Sequence, residues 1–164
     1  MSLFRSPKGV YTRGTNDWFQ SSAATACGIV QTGTNGFKVL YLYNNDQRGR
    51  LLSVYSITAS LDEDQGFAVG LINSFTGTQE TAPFGCFPIN PLLPAPSGQV
   101  WGDTINLTGG QLIAITSSAF NDFSLSNQNN APLVLIPPGW SLFAANLAPT
   151  LILTLSVYYQ VLDN

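Results

Sequence analysis

From Thr150 to Leu162 the chain reads TLILTLSVYYQVL, and its side chains alternate between two faces. Leu151, Leu153, Leu155, Val157, Tyr159 and Val161 share one face, while Thr150, Thr154, Ser156 and Gln160 share the other. A period of two is the geometry of a β-strand with one buried side, and a helical period of 3.6 would scatter these residues around a cylinder. The stretch before it holds two apolar runs, Leu133 to Ile136 and Trp140 to Ala145, separated by Pro137-Pro138-Gly139. Prolines cannot continue a hydrogen-bonded ladder, so the runs are expected to be two strands joined by a tight turn. Asn146 to Pro149 then forms a short loop before the long last strand.

The same reading gives strands at Phe37 to Tyr43, Leu51 to Ala59, Gly66 to Ile72 and Gln111 to Thr116, with Ala26 to Thr32 and Val100 to Leu107 as further candidates. Asn16 to Ile29 is ambiguous: Asp17 could cap a short helix through Phe19 to Ala26, or Ala26 could open a first strand that ends at a Gly33-Thr34-Asn35-Gly36 turn. Asn44 to Gly49 supplies turn residues, so Phe37 to Tyr43 and Leu51 to Ala59 are expected to pair as a hairpin. In the second of these, Leu52 and Val54 fall on one face and Tyr55 and Ile57 on the other, so either a bulge shifts the phase or both faces are covered. Phe120 to Ala131, rich in Asn, is expected to be a polar loop. Many short strands with Gly, Pro and Asn turns and no strong helix predict an all-β fold, an antiparallel β-sandwich of jelly-roll type, with a closed barrel as the alternative. Residues 1–16 read as an extended basic arm and residues 17–164 as a single sandwich domain. Since several strands carry apolar residues on both faces, and exposed apolar patches mark association sites, a homo-oligomer is expected, a trimer before a dimer.

Charged residues make up only 9% of the chain, against a typical quarter, and Ser, Thr, Asn, Gln and Gly take their place. A polar but uncharged surface suits a protein packed against neighbours in a large assembly. The net charge is -3, yet Arg5, Lys8 and Arg13 make the arm basic. Three cations are too few for useful phosphate binding, so the arm is expected to contact a neighbouring subunit rather than nucleic acid, with a merely solvated terminus as the alternative. No histidine occurs, which removes the commonest general base and metal ligand. Cys27 and Cys86 are too few for a zinc site and are read as two packed thiols, with one disulfide as the alternative. No cofactor is expected. The first 14 residues lack an apolar core, and no run reaches the roughly 18 residues of a membrane helix, so neither a signal peptide nor a membrane span is expected.

Pro83, Pro88, Pro91, Pro94 and Pro96 put five of the ten prolines into residues 83–96. They exclude a helix and disfavour a central strand, while the interleaved Phe84, Phe87, Ile89, Leu92 and Leu93 would pin the loop along a surface. Long loops in compact domains are usually contact elements, so a partner contact is expected here. Catalysis finds little support. Lys38 and Lys8 stand beside no serine in a nucleophile motif. Glu63, Glu80, Asp103 and Asp122 could in principle supply a glycosidase pair, but their spacing pairs no two of them. Asp62, Glu63 and Asp64 lack the spacing of a calcium loop and read as a solvated acidic connection. Trp101 beside Gly102-Asp103, with Trp18, Trp140 and the tyrosines, leaves a carbohydrate-binding module as the alternative function.

Pro137-Pro138-Gly139-Trp140-Ser141-Leu142, followed by the alternating strand from Leu151 to Val161, resembles the closing hairpin of small β-sandwich proteins of tailed-bacteriophage virions. The resemblance covers about the last 30 residues and carries over no functional residues. It implies a structural virion protein made in the host cytoplasm: a decoration or cement protein bound to the major capsid protein, or else a tail or fibre component contacting a host surface.

Overall fold

The computed structural model describes residues 23–116, 121–127 and 131–162. Twelve strands and no helix occur among them: β1 (Ala23–Gly36), β2 (Val39–Tyr43), β3 (Leu51–Leu61), β4 (Phe67–Ile72), β5 (Thr78–Gln79), β6 (Gly85–Pro88), β7 (Gln99–Asp103), β8 (Gln111–Ile115), β9 (Asp122–Ser126), β10 (Val134–Ile136), β11 (Ser141–Asn146) and β12 (Thr150–Leu162). They form two antiparallel sheets packed face to face, the expected β-sandwich. One sheet runs β10-β3-β12-β1-β6, with β9 also on β3, and the other runs β5-β7-β2-β11-β4-β8. The basic arm with Arg5, Lys8 and Arg13, and Trp18 with it, lies outside the described residues.

The pairing is nested. β1 pairs with β12, β2 with β11, β3 with β9 and β10, and β4 with β8. Each pair thus joins early chain to late chain, and the pairs alternate between the two sheets. One sequence expectation fails for this reason. Phe37 to Tyr43 and Leu51 to Ala59 do not form a hairpin, because β2 and β3 belong to different sheets. Leu133 to Ile136 and Trp140 to Ala145 hold two strands joined by a turn, as expected, yet the strands do not pair with each other: β10 lies on β3, and β11 lies between β2 and β4. The turn between them is real, with Trp140 N–H donating to Pro137 O at 3.1 Å, but it carries the chain from one sheet to the other. Burial explains the outcome: β2 and β11 are buried on both faces, which a pair at the edge of one sheet could not be.

Three further corrections concern residues with weak apolar contrast. The first strand starts at Ala23, not Ala26, which rules out a helix over Ala23 to Ala26, and it runs on to Gly36 through a register break after Gln31 where a turn was expected. The polar loop from Phe120 contains β9, whose Phe123 and Leu125 pack against the core. Asp62 is not merely solvated: it accepts hydrogen bonds from Leu151 N at 3.1 Å, Ile152 N at 2.9 Å and the Thr150 hydroxyl, and so fixes the start of β12.

The inter-sheet core explains β3. A bulge at Tyr55 shifts the register against β12, so that Leu52, Val54, Ile57, Ala59 and Leu61 all enter one core with Leu153, Leu155, Val157 and Tyr159. Of β2, Leu40 and Leu42 enter the same core, whereas Val39 and Tyr41 face outward into a second cluster with Ile72, Phe143 and Ala145. That outer face is covered by the chain itself. Phe75 stacks 5.0 Å from both Tyr41 and Tyr43 and 5.5 Å from Trp101, and Leu107 packs beside them. The two-faced strands at the centre of this sheet therefore need no second subunit. Phe75→Ala is expected to lower stability by about 3 kcal/mol, read by chemical denaturation, because it reopens this cover. A loss under about 0.5 kcal/mol would mean that the outer face tolerates water.

Candidate interaction site

The proline-rich loop is held at both ends. β6 pairs with β1, Cys86 opposite Ala26 and Phe87 opposite Thr25, at the edge of its sheet where prolines are tolerated. Ile89 N–H then donates to Ala23 O at 3.0 Å. The turn that follows is closed by Leu92 N–H to Asn90 Oδ1 and Leu93 N–H to Asn90 O, both at 3.0 Å. The far end is tied to the β2–β3 connection. Ser97 Oγ donates to Asp46 Oδ2 at 2.5 Å, Gly98 N–H to Asn45 Oδ1 at 2.8 Å, and the Tyr159 hydroxyl to Ser97 O at 2.9 Å.

Asp46 is the centre of that tie. It is buried, and its carboxylate accepts from the backbone N–H of Arg48 at 2.8 Å and of Arg50 at 3.1 Å, and it pairs with the Arg50 guanidinium at 2.7 Å. Burial alone would raise its pKa, but the bonds from Arg50, Ser97 and the two backbone amides outweigh burial and hold the carboxyl well below its ordinary range. Between this connection and the loop lies a groove of about 610 Å³, walled by Leu93, Pro94 and Pro96 on one side and by Gln47 and Arg48 on the other.

Of the five loop residues expected to make a contact, Phe84 and Leu93 are half-buried, and the other three point outward: Phe87 is 40%, Ile89 37% and Leu92 91% exposed. Leu92 is thus an apolar side chain held outward at the tip of a tied loop. A second patch escaped sequence reasoning. On β8, at the opposite end of the other sheet, Leu112 is 58% and Ile115 63% exposed. They flank a groove of about 380 Å³ floored by Phe143 and Ala145, and none of its described lining residues is charged.

Comparison with known protein families, with characterised proteins and with solved structures finds no match. Function must therefore be argued from this chain alone.

The residues weighed for chemistry are dispersed or occupied. Glu80 and Asp103 do come together, lining a hollow of about 420 Å³ beside Gln31 and Thr78, while Glu63 and Asp122 lie elsewhere. Burial raises the Glu80 carboxyl. Asp103, however, is engaged by the Thr76 hydroxyl at 2.5 Å and Thr104 N–H at 2.7 Å, and the described lining of the hollow offers no aromatic ring for a sugar. Trp101 is no loop platform: it sits in β7 against Phe75, with its indole N–H on Gln99 Oε1 at 3.2 Å. Lys38 is fully buried, donating from Nζ to the carbonyls of Thr150 and Gly36, and burial lowers its pKa. Cys27 and Cys86 are free. Cys86 faces the core, where burial pushes its thiol up to about 11, and Cys27, opposite Gly85 rather than Cys86, projects from the other face beside Ser156.

Proposed function

We propose that the chain is a structural protein that works through contacts with copies of itself and with a larger shell, as a decoration or cement protein of a virion does. The observation that carries this reading is the pair of uncharged apolar patches, one on the tied loop and one on β8, set on a sandwich whose acids and lysine are otherwise engaged or dispersed. Two further features support it. The nested pairing of first strand with last and second with penultimate favours reading the sandwich as a jelly roll, an architecture used by viral capsid proteins and lectins among others. That link is one of fold analogy. The low charge suits a surface that meets protein rather than water. On this reading the sandwich forms a closed homo-oligomer, a trimer as the simplest ring, and its loop and arm bridge neighbouring subunits. The added buried area opposes separation of the shell.

Size fractionation of the native source, followed by mass spectrometry, tests the role. The protein is expected in particles of virus size at a fixed ratio to a more abundant shell protein. Recovery only as free chain or small oligomer would contradict it.

A further inference from the structure

Lys38, just before β2, and Asn146, the last residue of β11, are both buried, although lysine is almost never fully buried without a partner. The two residues are bonded to each other twice through the backbone. The Lys38 N–H donates to Asn146 Oδ1 at 2.7 Å, and the Asn146 N–H donates to Lys38 O at 3.3 Å. Their side-chain nitrogens then converge on one acceptor: Gly36 O takes Asn146 Nδ2 at 3.0 Å and Lys38 Nζ at 3.4 Å. Asn146 Nδ2 also donates to Ala148 O at 2.6 Å, and Lys38 Nζ to Thr150 O. Among the described residues no carboxylate forms an ion pair with this amine. Asp62, which binds the Thr150 hydroxyl, attracts it electrostatically, yet burial outweighs that attraction and lowers its pKa.

We propose that Lys38 and Asn146 become joined by an isopeptide bond that the folded chain forms on itself. Lys38 Nζ attacks Cγ of Asn146: the Nζ–Cγ bond forms and the Cγ–Nδ2 bond breaks. A proton from Nζ passes to the departing nitrogen, which leaves as ammonia. One amide replaces another, so no oxidant, cofactor or second substrate is required. Each requirement of the step has a residue. Burial favours the neutral amine, the form that carries the attacking lone pair. The Lys38 backbone N–H on Asn146 Oδ1 stands where negative charge develops as the carboxamide is attacked. Binding both nitrogens to one carbonyl replaces a chance encounter with a rotation of the lysine side chain. The bond would tie together positions 108 residues apart, across the β2–β11 pair. A cross-link over so long a loop restricts the unfolded chain, as a disulfide would, and the two cysteines of this chain are free. The proposal does not depend on the assembly reading above.

Intact-mass spectrometry of the purified, denatured chain tests the bond directly. The expected mass is one ammonia below the value calculated for the chain's own termini. Peptide mapping is expected to recover a branched species, one arm holding Lys38 and the other Asn146, with trypsin failing to cut after Lys38. Asn146→Ala and Lys38→Met are each expected at their full calculated mass. In denaturing electrophoresis both are expected to run behind the parent, whose closed loop keeps the unfolded chain compact. All of these readings are taken on unfolded chains, so the parent's result stands whether or not a variant folds. A parent at its full calculated mass after prolonged incubation at neutral pH would overturn the proposal, leaving Lys38 as an amine that only ties carbonyls together. Loss of ammonia mapped to Asn35, whose neighbour Gly36 permits succinimide closure, with Lys38 and Asn146 in separate peptides, would overturn it as well.

Discussion

Asp46→Ala is expected to lower stability by about 4 kcal/mol and to release the proline-rich loop. The carboxylate is buried and satisfies two backbone amides, one hydroxyl and one guanidinium, so its removal strands several donors and leaves Arg50 without its counter-charge. Chemical denaturation checks the size of the loss, and proteolysis within residues 89–97 checks the release. Asp46→Asn, which keeps the shape and removes the charge, is expected to recover only part of it. The sign of the pH dependence follows from the depressed pKa. In the unfolded chain the group protonates near pH 4, whereas the folded protein resists protonation until well below that. The contribution is therefore complete above about pH 5, shrinks as the pH falls below about 4, and is lost once the folded carboxyl is protonated. The parent and Asp46→Ala should thus converge in stability toward strongly acidic pH. Parallel curves down to pH 2 would show that the carboxylate is not the source.

Gly70→Ala is expected to cost about 3 kcal/mol and to detach β8. A Cβ at Gly70 would strike the backbone carbonyl of Gln111 on β8 and lie 2.8 Å from two ring carbons of Phe143, and neither obstacle is the end of a flexible chain. The strand must move out, and Leu112 and Ile115 move with it. Denaturation alongside the parent measures the loss. A Gly70→Ala protein that unfolds like the parent would mean that β8 is already loose.

The contrast between what could and could not be read in advance is physical. The alternation from Thr150 to Leu162 is a local signal, and β12 follows it from Leu153 onward, whereas at its start Thr150 is buried and Leu151 only half-buried. The phase change between Val54 and Tyr55 leaves a bulge and two covered faces as alternatives, and the structure has the bulge, because no straight strand can send Leu52 and Ile57 to one core. β9 was hidden, since Phe123 and Leu125 stand alone among Ser and Asn, and the head of β1 was hidden because Ala, Cys, Gly and Thr give little hydrophobic contrast. Sheet membership was not local at all. Ala23 pairs with Gln160 and Val39 with Ala145, contacts that alternation cannot specify, and a short turn between two strands wrongly suggested a hairpin. The loop patch was legible because prolines exposed their apolar neighbours. The β8 groove was not, because Leu112 and Ile115 read as an ordinary strand until the structure placed that strand at an edge.

The account stands or falls on whether this chain meets copies of itself. Light scattering after size-exclusion chromatography, over a hundredfold range of loading concentration, measures that most directly. The expected result is a molar mass at least twice the 17.6 kDa of one chain, held at a constant multiple by a closed ring. A mass of 17.6 kDa at every concentration would contradict the account.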